Sequence, residues 1–580
     1  MIIMKTSENI VDCRHPNPIF CRSNWVNLNG TWEFSFDQPI FDKKITVPFC
    51  YESKMSEINQ TEMHSSVWYR RTTEIQYNKS GKCLLHFDGV DYRCNVWIDG
   101  QYIGSHVGGQ TAFVFDISSA IYNKQSIQIV VQAEDDHKNL SMPRGKQYWE
   151  DKPKSIFYTH TTGIWKNVWL EFVSDIYLCS VRITPRYDEK SVRFDYQLNL
   201  PAAIRLDTEI SYQGKIVSTL SIHNKCESGT YSIQLNQTAI AAWNFYEDLT
   251  WSPEHPYLFD VRYTLYNEKS EVIDEVFSYF GMRKISVENG RVLLNNRPYY
   301  LKMVLDQGYW PDSLMTPGSD EDIIKDITLI QQMGFNGVRI HQKVECARFL
   351  YFADKMGLLV WAEFGSAYLY TSSYAAEMYK EWSENILQNY NHPSIIAWVP
   401  LNESWGIQEI KENAMEQAHC GAMYHITKSL DQSRIVIDND GWEHLNSDLL
   451  TIHDYEGNQD VLRNRYSSMD NILKFLPGGH YLYVNGKYKG EPILLTEFGG
   501  IALNYSNMSE GDWGYSSDQD PKSYYLHLNN VFDAIKASPI LAGYCYTQFT
   551  DIDSEKNGLL TYDRKPKIPV EKIAALNREK

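Results

Sequence analysis

Two segments of the chain end an apolar run in a glutamate. IIAWVPLNESWGI (residues 395–407) carries Glu403, and PILLTEFGG (residues 492–500) carries Glu497. A carboxylate at the end of a buried strand needs a partner or a use, because an isolated charge is costly to bury; the alternative for Glu403 is a solvated loop residue. Two carboxyl groups that face one cavity can cleave an acetal, since one protonates the leaving oxygen while the other attacks the anomeric carbon or activates water. The pair predicts glycoside chemistry.

The segments that must position these glutamates alternate between strand and helix after residue 286. Such alternation is typical of a parallel sheet. The eight strand candidates are YYLKMVL, FNGVRI, LLVWAEF, IIAWVP, RIVIDND, LLTIHDY, PILLTEF and LAGYCYTQ. Eight units in residues 286–580 predict a (β/α)8 TIM barrel, whose active site lies at the carboxyl ends of the strands.

Polar residues follow the strand candidates where the barrel cavity should open. In strand order they are Asp306 and Gln307, then Arg339 and His341, then Glu363, then Asn402 and Glu403, then Asp438 and Asp440, then His453, Asp454 and Tyr455, then Glu497. Four aromatic residues nearby are candidates for a platform under a sugar ring, namely Trp361, Trp398, Trp405 and Phe498. Core packing is the alternative, favoured for Trp398 and given equal weight for Trp405.

The first half of the chain is rich in short alternating stretches separated by turn residues. Residues 1–175 contain SSVWYRRTTEI, CNVWIDGQYIGS and the hairpin signal Asp99-Gly100, which predict two packed antiparallel sheets. Residues 176–285 predict a second, smaller β-sandwich. We expect both domains to brace the barrel, although the loop RGKQYWEDKPKSIFYTHTTG, rich in Lys, Tyr and His, could reach the barrel rim or a neighbouring subunit.

Composition excludes several classes of partner. The 580 residues are 43% hydrophobic and 22% charged, which indicates a chain folded nearly throughout. A net charge of −18 argues against nucleic acid and against an anionic membrane surface. The ten cysteines form no CxxC pair and are expected to be reduced. MIIMKTSENI is too short for a signal peptide and no apolar run approaches the ~20 residues of a membrane span, so we expect a cytoplasmic protein.

Ordered segments along nearly the whole chain resemble glycoside hydrolase family 2. They are LNGTWEF, VWYRR, FDGVDYRCNVWIDGQYIG, TTGIWKNVWLE, FGMRKI, GFNGVRIHQ, WVPLNESWG and LLTEFGG. The resemblance implies a multidomain protein with an N-terminal jelly-roll-like β-sandwich, an immunoglobulin-like β-sandwich and a C-terminal TIM barrel. It also implies a retaining exo-β-glycosidase, with a small glycoside or oligosaccharide as substrate and no cofactor. Members of the family are often oligomers, and no feature of this chain fixes a subunit number.

The resemblance assigns roles by position. Glu403 becomes the acid/base and Glu497 the nucleophile, while Asn402 matches the residue that binds the sugar 2-hydroxyl. Arg339 matches the arginine that orients the nucleophile, and Tyr455 a tyrosine beside it. For retention we expect the two carboxyl groups to lie ~5 to 5.5 Å apart. We also expect burial and the second carboxylate to raise the pKa of Glu403, and Arg339 to hold Glu497 as a carboxylate.

The sequence specifies the substrate sugar less clearly than the reaction, and we expect a β-galactosidase. The family's β-glucuronidases resemble one another in an Asn-x-Lys pair that holds the substrate carboxylate, whereas this chain has Glu555 and Asn557 there. A β-galacturonidase or β-glucuronidase is the alternative, because His341 and Lys343 could bind a carboxylate. WAEFGSAY lacks the histidine of the larger β-galactosidases' metal site, so we expect no catalytic metal.

Several further residues are candidates for substrate binding. Asp306 and Gln307 could receive sugar hydroxyls, although Asp306 could equally cap a loop. The complete set of substrate-binding candidates is Asn402, Arg339, Tyr455, Asp306, Gln307, His341, Glu363 and Trp405. A different class of function is a non-catalytic carbohydrate-binding protein on an inactive barrel; the presence of both glutamates together with Asn402 and Arg339 argues against it.

Overall fold

The computed structural model describes residues 14–578 except residue 76 and segments 78–80, 236–248 and 504–510. Within these residues, two β-sandwiches precede a barrel of parallel strands, which confirms the predicted fold class. The N-terminal segment MIIMKTSENI lies outside the described residues. Among the helices that are described, none has both the length and the apolar character that a membrane span requires.

The first sandwich packs a four-stranded sheet against a six-stranded one. Its elements are β1 (Trp25–Asn27), β2 (Gly30–Phe36), β3 (Lys43–Val47), β4 (Ser66–Glu74), β5 (Lys82–Phe87), β6 (Val90–Asp91), β7 (Arg93–Ile98), β8 (Gln101–Val107), β9 (Phe113–Asp116), β10 (Ser126–Glu134), β11 (Gly163–Ile164) and β12 (Val168–Val173). The sheet orders are β1-β12-β5-β9 and β3-β2-β4-β10-β7-β8. Asp99 and Gly100 join β7 to β8 with φ of 48° and 81°, as a two-residue hairpin turn requires.

The second sandwich is smaller and contacts the amino-terminal face of the barrel. It contains β13 (Leu178–Arg186), β14 (Ser191–Leu198), β15 (Ile204–Tyr212), β16 (Lys215–Asn224), β17 (Ser228–Gln234), β18 (Phe259–Tyr266) and β19 (Val272–Phe280). Its sheets have the orders β13-β14-β17 and β16-β15-β18-β19. Asn391, which precedes the fourth barrel strand, donates to Val181 O and accepts from Ile183 N–H, both at 2.8 Å. This domain therefore lies away from the carboxyl ends of the barrel strands.

The barrel strands occur where the apolar runs predicted them. The remaining strands are β20 (Ile285–Glu288), β21 (Arg291–Leu294), β22 (Arg297–Pro298), β23 (Leu301–Asp306), β24 (Gly337–Ile340), β25 (Leu359–Glu363), β26 (Ile395–Val399), β27 (Ile435–Val436), β28 (Leu450–Asp454), β29 (Ile493–Phe498), β30 (Ile501–Leu503), β31 (Ser516–Asp518) and β32 (Leu541–Tyr546). The eight-stranded parallel sheet has the order β27-β26-β25-β24-β23-β32-β29-β28. The short sheet β20-β21-β22 contributes Ile285, Val292 and Leu294 to the core inside the barrel.

Helices surround the parallel strands. They are α1 (Asp320–Gln332), α2 (Ala347–Met356), α3 (Ser372–Asn389), α4 (Ala414–Leu430), α5 (Gln459–Arg465), α6 (Met469–Lys474), α7 (Pro521–Ala537) and α8 (Val570–Leu576). Alternate strand residues face in opposite directions, so Val304, Val338 and Trp398 pack outward against the helices. Met303 and Trp361 pack inside the barrel.

Among the described residues, the parallel strands have one seam without a strand ladder, between β27 and β28. There, within the described chain, side chains replace backbone pairing: the Gly441 N–H donates to Thr451 Oγ1 at 3.0 Å, and His444 Nε2 lies 3.0 Å from Thr451 O. The strand predicted at RIVIDND is short because Asp438 turns its side chain to the N–H groups of Leu445 and Asn446 (2.7 and 2.8 Å). The seam opens beside the two glutamates.

Candidate active site

Glu403 and Glu497 meet at the carboxyl end of the barrel. Glu497 is the penultimate residue of β29, and Glu403 follows the end of β26 by four residues. An oxygen of one carboxylate lies within 4.8 Å of an oxygen of the other. The structure thus brings the two predicted carboxyl groups to one cavity.

A strained turn directs Glu403 into the cavity. Glu403 and Ser404 have φ of 52° and 56°, in the left-handed region that residues other than glycine seldom adopt. The Glu403 N–H donates to Asp440 O at 2.9 Å, and the Ser404 N–H donates to Asn439 Oδ1 at 2.9 Å. These bonds to the segment that follows β27 hold the turn, and strain of this kind is concentrated at functional sites.

Both oxygens of Glu497 have donors. Arg339 Nη1 lies 3.0 Å from Oε1, and the Tyr455 hydroxyl donates to Oε2. The Tyr455 ring stacks on Tyr515 with centroids 3.3 Å apart, which fixes the hydroxyl in turn. The arginine and the tyrosine therefore contact one oxygen each of Glu497, at the positions where the resemblance placed them.

Arg339 is the centre of the buried charge network. Its guanidinium contacts Glu363, lies 2.7 Å from Asp440 Oδ2, and donates to Asn402 Oδ1 at 2.7 Å. Burial lowers the pKa of Arg339, but the charges of Asp440, Glu363 and Glu497 outweigh that effect and raise it. A permanent cation thus compensates several carboxylates that would otherwise be costly to bury.

His453 joins the two glutamates. Its Nδ1 lies 2.7 Å from Glu403 Oε1, and its Nε2 lies 2.8 Å from Asp440 Oδ2 and 3.5 Å from Glu497 Oε1. Burial lowers the pKa of His453, but these three carboxylates together raise it to about 10. The ring is therefore an imidazolium at neutral pH. Glu403, His453 and Glu497 also lie close enough together to share a metal ion, which would have to displace a ring proton of His453.

The expected rise in the pKa of Glu403 does not occur. Burial does raise this pKa, but the hydrogen bond and the charge of His453, followed by the charge of Lys146, outweigh burial and lower it. The prediction was wrong because it counted burial and the second carboxylate and omitted the imidazolium. In the free protein the proton resides on His453 rather than on Glu403.

Asn402 and His341 flank the network on the cavity side. Asn402 Oδ1 accepts from Arg339, whereas its buried Nδ2 has no hydrogen-bond partner among the described residues. His341 Nδ1 lies 2.9 Å from Glu363 Oε2, and burial lowers the pKa of His341, so the neutral ring donates to that carboxylate. Glu363 also accepts from Gln342 N–H at 2.9 Å. Glu363, which the sequence placed among the substrate ligands, is committed instead to orienting Arg339 and His341.

Three residues near the first two strands are less available than the sequence indicated. Asp306 is buried and accepts from Gly308 N–H at 3.0 Å, which is the loop-capping alternative, and burial raises its pKa to about 6. Gln307 Nε2 donates to Gln548 Oε1 at 2.9 Å. Lys343 Nζ lies 2.7 Å from Glu345 Oε2, so it already has a carboxylate partner.

Most of the aromatic candidates are core residues, as was favoured for Trp398. Trp361, Trp398 and Phe498 are fully buried in the core and cannot contact a sugar. Trp405 is partly exposed and lies against Phe157, with ring centroids 5.6 Å apart. Of the four candidates, Trp405 alone has a face near the cavity.

A loop of the first sandwich reaches the barrel mouth, as its composition indicated. The Tyr158 hydroxyl donates to Glu555, and the Thr159 N–H donates to Asp553 Oδ2 at 3.0 Å. Lys146 Nζ lies 4.6 Å from the centroid of the Trp405 ring. The sequence did not identify Lys146 as a site residue; the only signal was its place in the loop rich in Lys, Tyr and His.

Comparisons with known protein families cover nearly the whole chain. Residues 285–575 match "Glycosyl hydrolases family 2, TIM barrel domain", residues 11–172 match the sugar binding domain of that family, and residues 176–283 match "Glycosyl hydrolases family 2". The succession agrees with the two sandwiches and the barrel described above.

Individual relatives carry different names. The chain is 28% identical to a β-galactosidase of Thermoanaerobacter pseudethanolicus over 68% of this chain and 52% of that protein, so it spans about half of that relative's length. It is 22% identical to a β-glucuronidase of Streptococcus agalactiae over 94% of each protein. Among solved structures, a family 2 β-galacturonidase of Eisenbergiella tayi superimposes with a TM-score of 0.73 at 20% identity over 96% of each chain, a likeness of fold.

Proposed function

This chain belongs to glycoside hydrolase family 2, and we propose that it is a retaining exo-β-glycosidase that forms a covalent glycosyl-enzyme intermediate. The observation that carries the proposal is the approach of Glu403 and Glu497 to within 4.8 Å. Retaining glycosidases hold their two carboxyl groups ~5 to 5.5 Å apart, whereas inverting enzymes need ~6.5 to 9.5 Å to admit a water. The short separation favours direct attack by a carboxylate.

In the proposed mechanism Glu497 attacks the anomeric carbon while Glu403 gives a proton to the leaving oxygen. The C–O bond to the aglycone breaks as the ester bond to Glu497 forms. Glu403, now ionised, takes a proton from water, and that water displaces Glu497 from the sugar. A bound sugar excludes water from Glu403, and burial is the influence that raises its pKa, so substrate binding favours the proton that the first step needs.

Asn402 supports this assignment from the sugar side. Its Oδ1 is held by Arg339, so its Nδ2 is directed and free to donate, within the described structure. We propose that Nδ2 binds the sugar 2-hydroxyl, where hydrogen bonds strengthen in the transition state. Trp405 supplies a ring face beside Glu403, which suits the apolar face of a sugar or aglycone.

The loop of the first sandwich supports action on a chain end. It closes one side of the barrel mouth through Tyr158 on Glu555 and Phe157 beside Trp405. A mouth with a closed side accepts one terminal sugar more readily than the middle of a polymer. The sequence favours a β-galactoside as that sugar, and one observation favours a β-uronide instead, namely the position of Lys146, which is argued in the next section.

The proposal is tested with nitrophenyl β-glycosides of galactose, galacturonate, glucose, glucuronate and mannose and with the α-arabinoside. The wild-type protein should hydrolyse at least one of them with retention of the anomeric configuration, measured by NMR of the first-formed sugar. The matching 2-deoxy-2-fluoro glycoside should label Glu497, identified by peptide mass spectrometry.

The Glu497→Ala variant provides the decisive control. It should lose both hydrolysis and labelling while keeping the wild-type unfolding transition. Net inversion would refute the retaining mechanism, and equal hydrolysis by wild type and Glu497→Ala would refute the assignment of the nucleophile. Glycan binding without hydrolysis would instead favour the carbohydrate-binding alternative.

A further inference from the structure

We propose that Lys146, a residue of the first sandwich rather than of the barrel, binds a carboxylate on the terminal sugar, so that the preferred substrates are β-uronides. The inference rests on the glycosidase function proposed above and specifies its substrate class. It assigns to the sandwich domain the recognition that an Asn-x-Lys pair of the barrel would otherwise provide, at the place where this chain carries Glu555 and Asn557.

Lys146 is buried and has no charged partner in the described part of the chain. It is 7% exposed. Among the described residues, no carboxylate oxygen lies within 4.0 Å of its Nζ, the limit for an ion pair. Two other buried lysines do have carboxylate partners, since Lys343 pairs with Glu345 and Lys567 with Asp551, each at 2.7 Å. Buried Lys166 instead donates to the backbone oxygen of Gln110 at 2.8 Å. Burying a cation without a partner is costly, so an anionic ligand would be bound with particular advantage.

The ammonium group faces the reaction centre. Its Nζ lies 4.6 Å from the centre of the Trp405 ring, the aromatic residue next to the proposed acid/base. Its charge acts on Glu403, on His341 and on Glu555, which follow three different barrel strands. Because the three residues follow different strands around the barrel, an ammonium group that acts on all of them lies at the cavity mouth.

The backbone around Lys146 is fixed to the barrel, so the cation is positioned before substrate arrives. The Gly145 N–H donates to Ser366 O at 3.0 Å, and the Tyr368 hydroxyl lies 2.6 Å from Gly145 O. Gly145 has φ of 61°, and a Cβ there would collide with the carbonyl oxygen of Gln342. The Tyr158 N–H donates to Lys146 O at 2.9 Å and pairs the two arms of the loop. A preorganised donor loses little conformational entropy on binding.

Glu555 does not serve as the missing partner. Its Oε2 accepts from the Tyr158 hydroxyl and its Oε1 accepts from Asn557 Nδ2 at 2.9 Å, so both oxygens have neutral donors. Burial raises the pKa of Glu555, and the charge of Lys146 opposes that rise without a direct contact. Arg339 is unavailable for substrate as well, because Glu363, Asp440 and Glu497 already surround it.

The test compares sugars that differ only in the group at C6. Nitrophenyl β-galacturonide is paired with the β-galactoside and nitrophenyl β-glucuronide with the β-glucoside, and kcat/KM is measured at the pH optimum of each variant. Lys146→Met removes the charge at nearly constant length, and Lys146→Arg restores it. Lys152→Met, at an exposed lysine of the same loop, is the matched control.

The wild type should prefer the uronide of at least one pair by about 100-fold, since losing one partner of a buried charged hydrogen bond typically costs about 30-fold to several thousandfold. Lys146→Met should remove most of that preference by raising KM for the uronide far more than KM for the neutral sugar. Lys146→Arg should recover part of the preference, and Lys152→Met should equal the wild type.

Two results would overturn the inference. One is a wild type that prefers the neutral sugar of both pairs, and the other is a Lys146→Met variant that loses activity equally on both members of a pair. In either case hydrolysis that depends on Glu497 would leave the glycosidase proposal intact. Absence of hydrolysis of every glycoside, with retained folding, would instead defeat the glycosidase proposal itself.

Discussion

Glu497 and Glu403 follow comparable barrel strands, yet their surroundings differ in kind. Glu497 lies against Arg339 and Tyr455, and its side chain is 6% exposed. Glu403 lies against His453 and is 15% exposed. Burial raises the pKa of Tyr455 well above its usual value, so both partners of Glu497 keep one charge state through neutral pH, whereas the partner of Glu403 is a group that can share a proton.

The backbone differs in the same sense. Glu497 lies within β29 and pairs with His453 of β28, while Glu403 occupies a left-handed turn beyond the end of β26 that is held by Asp440, just after β27. A nucleophile needs a fixed position and a constant charge, whereas an acid/base must lose and regain a proton in each turnover. The comparison indicates that the fold holds Glu497 in a fixed position, whereas it places Glu403 beside a group with which it can exchange a proton.

The largest effects should appear when each glutamate is replaced by alanine and each variant is assayed on substrates with a poor and with a good leaving group. Glu497→Ala should lose about 10⁵-fold in kcat on every aglycone, because each substrate needs the nucleophile. Glu403→Ala should lose about 10³-fold on an alkyl glycoside but far less on a dinitrophenyl glycoside, whose leaving group needs no proton. Steady-state kinetics on the two aglycones measure the difference.

A matched control for this pair is Glu412→Ala, at an exposed glutamate beyond the rim. It should have wild-type kinetics on both aglycones. Added azide should restore turnover to Glu403→Ala on the activated substrate and give the β-glycosyl azide. Equal losses for the two variants on both aglycones would mean that the surroundings of the glutamates do not separate their roles.

The barrel and its two glutamates were predictable because each depends on local sequence. An apolar run that stops at a charged residue indicates a buried strand that ends at a cavity. The strands β26 and β29 occur where IIAWVP and PILLTEF predicted them. The aromatic platform was not predictable in the same way. Strand alternation decides whether a tryptophan such as Trp361 points to the helices or to the barrel interior, and two apolar faces leave no pattern from which to tell them apart.

The charge partners required knowledge of tertiary contacts. His453 was visible as a polar residue after the sixth strand, but its place between Glu403 and Asp440 depends on a seam that joins non-paired strands. Lys146 comes from another domain and meets Trp405 only through folding. The direction of the Glu403 pKa shift follows from these two cations, so it could not be derived from burial alone.

A smaller effect should appear in the pH dependence of stability. The pKa of His453 rises from 6.5 to about 10 on folding, so its ion pairs stabilise the protein fully below pH 6.5 and lose that contribution as pH rises towards 10. The wild-type urea midpoint should therefore fall across this range. His453→Gln should be less stable at neutral pH and show a smaller fall, and an identical fall in both proteins would contradict the charged state of His453.

The smallest effect should be a shift in the pH profile of the acid/base. The charge of Lys146 helps to lower the pKa of Glu403, and kcat/KM requires Glu403 in its protonated form. Lys146→Met should therefore move the basic limb of kcat/KM on a neutral glycoside to higher pH, while Lys152→Met leaves it in place. Because Lys146 is buried, added salt should weaken its effect on the pKa of Glu403 less than it would weaken the effect of a surface lysine. A limb that stays fixed or moves to lower pH would show that Lys146 does not act on Glu403.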